Sequence, residues 1–177
     1  MPRATKAAAK AAKRSADKDA QAPKPSAAAV RKQIDGFIAK YTPEVEREAR
    51  LARAALRKWM PAAVELVYDN YQFLVFGFGP SERAGEAVLS LALTPRWVTL
   101  CFLQGARLDD PAGLLRGSGS TVRSIRLLEG AAQLREPGVE ALIGQALARA
   151  KVPIPQGGDG YTIVRSVSAK QRPRRPR

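Results

Sequence analysis

The chain has no histidine and only one cysteine, Cys101. Without histidine, no Ser-His-Asp or Cys-His arrangement can form, and imidazole metal ligation is excluded. One cysteine can make neither an intrachain disulfide nor a thiolate cage. A reducing compartment, the cytoplasm, is therefore the expected location. No apolar run approaches the length of about 18 residues that a membrane span needs, so no membrane partner is expected. The basic N-terminal stretch leads into no apolar segment and does not read as a secretory signal.

Acidic charge is scarce at the two ends. Of the 30 basic residues, nine lie in residues 1–32 and six in 165–177, while those segments hold only Asp17 and Asp19. This leaves 15 basic and 14 acidic residues for 33–164. The net charge of +14 thus belongs mostly to the ends, and the middle is near neutral. Residues 1–29 are rich in Ala, Lys, Pro and Ser and lack large apolar side chains. They cannot bury enough surface to offset their ordering entropy, so a disordered tail is expected. The same holds for an Arg/Pro-rich tail over 166–177. Lys6, Lys10, Lys13, Arg14, Arg172, Arg174 and Arg175 are the candidate contacts of such tails with nucleic acid. Lysine and arginine neutralise phosphates without needing a fold and without sequence preference.

Between the tails, residues 30–165 read as one α+β domain. Apolar residues at 30, 34, 37, 38 and 41 recur at helical spacing. Thr42-Pro43-Glu44 then opens a second helix with cap, proline and acid in the favoured order. Its stripe runs Val45, Ala49, Ala52, Leu56 and Trp59. Glu44, Glu46 and Glu48 sit among arginines on the other face, the pattern of a solvated surface. Apolar runs at 63–68, 71–78, 87–93, 97–103 and 121–128 are joined by short turns, which predicts an antiparallel meander of about five strands. Pro137 opens a C-terminal helix. Residues 161–167 read as a short terminal strand or a strap. Trp59 and Trp97 are expected in the core.

Residues 97–128 hold the most informative local chemistry. Arg116-Gly117-Ser118-Gly119-Ser120-Thr121 offers backbone N–H groups, hydroxyls and a guanidinium, with Arg123 and Arg126 just beyond. Glycines let successive N–H groups converge on an anion. Arginine adds bidentate geometry for phosphate or carboxylate. No Gly-Lys-Thr/Ser ending is present, so this is no Walker loop. Strand alternation puts Arg123 and Arg126 on opposite faces, so at most one joins a given pocket, and Arg123 is taken as the member that joins the loop. Tyr68 and Asn70 at a strand end complete the candidate anion site. A plain hairpin connection is the competing reading of the loop, and a turn residue that of Asn70. No spacing nominates a catalytic residue, a cofactor or a metal centre.

Three segments carry a family resemblance: LRKWMPAAVELVYDNY at 56–71, the pair Gly77-Phe78, and WVTLCFLQGARLDDPAGLLRGSGSTVRSIRL at 97–127. Through them residues 26–150 resemble the YdhG-like domains of unknown function, an α+β family. Some relatives are described as frataxin-like iron chaperones. The resemblance thus implies iron binding as an alternative function, and an uncharacterised enzyme is another. An iron-donor surface needs clustered hard oxygen ligands, whereas the acids of this core alternate with arginines. The principal expectation is a non-catalytic binding module for an anionic or phosphorylated small molecule, with tails that associate with nucleic acid.

Overall fold

The computed structural model describes residues 25–176. Lys6, Lys10, Lys13 and Arg14 lie outside the described residues. Helix α1 (Ala27–Ile38) is followed by α2 (Pro43–Trp59), five strands, and α3 (Pro137–Ala148). The strands are β1 (Val64–Asp69), β2 (Leu74–Gly79), β3 (Leu89–Leu93), β4 (Val98–Phe102) and β5 (Arg123–Leu127), and β6 (Thr162–Val167) closes the chain. Ser26 caps α1 by accepting from the Ala29 N–H, so order begins slightly before residue 30. Thr42 caps α2 as its sequence predicts, with Pro43 in the first turn.

The expected α+β class is present, with two N-terminal helices and one C-terminal helix packed on a sheet. The sheet has six strands in the order β5-β4-β3-β2-β1-β6. It is mixed, not wholly antiparallel, because β6 runs parallel to β1. Short turns reveal only antiparallel neighbours. A parallel partner arrives by a long crossover, here through α3, and leaves no local signature.

Strand pairing assigns each side chain to a face, since directly opposed residues point the same way. One face carries Val67 of β1, Leu74, Phe76 and Phe78 of β2, Leu89, Leu91 and Leu93 of β3, Val98, Leu100 and Phe102 of β4, and Ile125 and Leu127 of β5. These join the buried stripes of all three helices in one core. The α2 stripe is buried from Val45 to Leu56, but Trp59 at its end is 38% exposed. That tryptophan is not the core residue its spacing suggests, because α2 ends there. A two-turn 3-10 helix, Gly130–Arg135, sits between β5 and α3. Glu48 of α2 accepts from the Ala131 N–H at its start.

Candidate functional site

The sheet holds two acidic side chains, Glu65 and Asp69, four residues apart on β1 and therefore on the same face as Val67. Both turn toward the helices, and both are fully buried. Glu65 receives Arg53 Nε at 2.5 Å, Arg53 Nη2 at 2.7 Å, Arg57 Nη1 at 2.9 Å and the Thr162 hydroxyl at 2.6 Å. Arg53 also lies over the Phe76 ring. Asp69 receives Lys40 Nζ at 2.8 Å and Arg174 Nη2 at 2.8 Å. Each carboxylate thus meets two cations, the arrangement a buried charge requires.

The Asp69 cluster fastens the C-terminal segment, contrary to the disordered tail expected over 166–177. β6 continues to Val167, and the Ser168 and Arg172 N–H groups donate to the Asp69 and Tyr71 carbonyls. Arg174 is 5% exposed and also donates to the Asn70 carbonyl. Its Nε and Nη1 are buried with no hydrogen-bond partner. Arg175 donates to the Tyr41 and Ala39 carbonyls, and Arg172 lies over the Tyr71 ring. Arg174 is therefore not a free phosphate contact, whereas Arg172 and Arg175 stay exposed while held against the domain. A Pro/Arg-rich composition signals disorder, but here a buried carboxylate supplies a specific anchor. Beside it, the buried Tyr41 hydroxyl donates to the Leu93 carbonyl and accepts from the Leu74 N–H. Burial pushes its pKa up to about 12.

Among the described residues, none of the three α-helices packs on the opposite face of the sheet. Pairing defines a row that crosses every strand: Arg116, Ser124, Cys101, Ser90, Gly77, Leu66 and Ile163. The next row is Arg126, Thr99, Ala92, Val75, Tyr68 and Ser166. The 80–87 connection folds over one corner. There Ala87 lies against Gly77, and Glu82 accepts from the Tyr161 hydroxyl and from Arg165. Away from that corner Val75, Ala92, Thr99, Cys101 and Ser124 are half-buried, and Arg116 and Arg126 are exposed. No strand residue on this face is acidic. The Arg126 guanidinium lies over the half-buried Trp97 ring, 4.8 Å from its centre. Burial raises the Cys101 thiol pKa, so this thiol is a poor nucleophile.

The predicted anion site is only partly assembled. Arg116 and Tyr68 share the uncovered face but stand five strand spacings apart, about 24 Å. Arg123 points to the other face, paired with Phe102. It turns back to donate to the Gly119 and Val122 carbonyls and so clamps its own loop. Gly117, Ser118, Gly119, Ser120 and Thr121 are exposed at the end of β5, and Gly117 needs its positive φ of 117°. Asn70 is exposed at the end of β1 and accepts from the Ser166 hydroxyl. It is Arg126, not Arg123, that joins Arg116. Strand parity in the sequence separates those two arginines, but it does not show which one faces the helices.

Among the described residues, no three acidic or cysteine side chains gather to hold a metal ion. Asp35 is bound to Arg50, and Glu48 to the Ala131 N–H and Arg47. No described helix is long and apolar enough to cross a membrane. Fold and face together define an open-faced α+β sandwich, with one sheet surface only partly covered by the described residues. No protein-family model, curated protein or solved structure significantly matches the chain.

Proposed function

We propose that this chain is a YdhG-like, non-catalytic cytoplasmic binding module whose uncovered sheet face receives an extended anion, single-stranded nucleic acid being the class that fits. One observation carries this reading. Both sheet acids turn to the helices, whereas the uncovered face combines Arg116 and Arg126 with the hydroxyls of Ser124, Thr99 and Tyr68. A broad, shallow platform with no acidic strand residue suits a polymer better than a small molecule. The phosphates engage the guanidiniums, and a base can stack on the Arg126 plane, as bases do on arginine in single-strand recognition. The basic residues of 1–24 add sequence-independent affinity.

The test is fluorescence anisotropy of a labelled oligo-dT 20-mer with the full chain at several salt concentrations. The variant Arg116→Ala/Arg126→Ala should bind at least tenfold more weakly. It should also lose about 1.4 from the slope of log affinity against log salt, about 0.7 for each phosphate contact on a single strand. Bound oligonucleotide should slow alkylation of Cys101, which lies between the arginines and the sheet centre. Unchanged affinity in the double variant, together with an unprotected Cys101, would assign binding to the tails and overturn the proposal.

A further inference from the structure

A second concave feature lies at the end of the sheet where β2 finishes and β3 begins. Residues 85–88, the one-turn helix Gly105–Arg107, and the C-terminal end of α3 with residues 149–152 enclose a cleft of about 550 Å³. That volume is within the range of small-molecule sites, about 300–1,000 Å³. Its apolar lining comes from Val88, Leu108, Ala146 and Val152. Its rim carries Arg107, Arg149 and Lys151 against a single lining carboxylate, Glu86. Glu86 already accepts from the Ser81 hydroxyl and Arg83, and these contacts, the hydroxyl first, hold its pKa down.

The three cations differ in role. Arg149 is pinned across the cleft by the Arg107 carbonyl and the Asp109 carboxylate. Lys151 stands near Glu86. The exposed Arg107 guanidinium makes no ion pair among the described residues, and its five donors are available. Arg149, the C-cap of α3, offsets the negative end of the helix dipole. Arg107 belongs to another element and has no such role.

From this we infer that the cleft is a site for a small amphipathic organic anion. The apolar body would lie on Val88, Leu108 and Val152, and a carboxylate, sulfonate or phosphate would meet Arg107 and Lys151. This site is independent of the uncovered face, so either reading can fail without the other.

The probe is 8-anilinonaphthalene-1-sulfonate, an aromatic body bearing one sulfonate, titrated against the full chain by fluorescence. Arg107→Ala/Lys151→Ala should weaken binding about tenfold, the scale of losing a charge-assisted hydrogen bond. Val152→Asp, at an exposed position, should weaken it similarly by adding a negative charge to the lining. The uncharged analogue N-phenyl-1-naphthylamine should bind the wild type and the Arg107/Lys151 double variant alike. No binding by the wild type, equal sulfonate affinity in the double variant, or a loss instead in Arg126→Ala would overturn the inference.

Discussion

Removing Arg53 and Arg57 together should destabilise the protein more than removing the carboxylate they share. Glu65 is fully buried, and with both arginines cut to alanine only the Thr162 hydroxyl still donates to it. Breaking a buried ion pair from one side costs about 3–5 kcal/mol, because the remaining charge has no route to water. Loss of the Arg53 stack on Phe76 adds about 0.5–1 kcal/mol. Glu65→Leu strands no charge of that kind. The side chains of Arg53 and Arg57 are 22% and 37% exposed and can swing their heads into solvent. A buried ion pair replaced by an apolar side chain of similar volume is often near neutral, so we expect a cost of about 1–2 kcal/mol. At about 2–4 °C per kcal/mol for a chain of this size, the arginine double variant should lose about 10 °C in Tm and Glu65→Leu only a few degrees. Urea unfolding of both variants measures the difference directly. If Glu65→Leu proves equally or more destabilising, the cluster is held by the carboxylate's own contacts, and the argument from solvent access fails.

Tyr41→Phe should cost about 1–3 kcal/mol, because the Leu93 carbonyl and the Leu74 N–H each lose a buried partner. The phenol holds its proton more tightly in the folded state, so its contribution is full below pH 10 and is lost as pH rises toward 12. Unfolding measured from pH 9 to 12 should therefore show a steeper alkaline loss in the wild type than in Tyr41→Phe; parallel curves would contradict this. Gly130 has φ 76°, and a Cβ there would lie 2.3 Å from Glu48 Oε2. Gly130→Ala should cost at least about 1–2 kcal/mol by denaturant unfolding, and a neutral outcome would show that Glu48 moves aside freely. Arg174→Ala leaves Asp69 with Lys40 alone and should free the C-terminal segment, so that trypsin cuts after Lys170 at least tenfold faster. An unchanged digestion rate would mean that Arg172 and Arg175 suffice as anchors.

The helices and the first five strands were legible because each is encoded locally. Thr42-Pro43-Glu44 announces α2, and the apolar runs with short turns announce the meander. What stayed hidden is what depends on distant partners. β6 finds β1 across more than ninety residues. The run RPRRPR resembles a solvated tail until the buried Asp69 is placed beneath it. The candidate site was half legible, since Arg116 and Tyr68 do share a surface. Arg123 was misplaced because both sheet faces are apolar enough to obscure which one the helices cover. The Arg107–Lys151 cleft joins a loop, a turn and a helix end from separate parts of the chain, and no motif links them.

The segregation of charge on β1 ties fold to function. Glu65 and Asp69 are separated by four residues, so strand parity commits both to one face. Had β1 been paired one residue out of register, both carboxylates would point to the opposite face, on the same surface as Tyr68. They would put negative charge on one end of that surface and repel a polyanion laid across it. Lys40, the α2 arginines and the C-terminal segment, drawn to Glu65 and Asp69 on the helix side, therefore do two things. They favour this register of β1 against its neighbours β2 and β6, and they hold both carboxylates away from the other face. Moving one acid across tests this link. Thr99→Glu, at a half-buried position on the uncovered face, should leave the fold intact by circular dichroism. It should also abolish oligo-dT binding to that face as completely as loss of Arg116 and Arg126; full retention of binding would separate the register of β1 from the function proposed for the face.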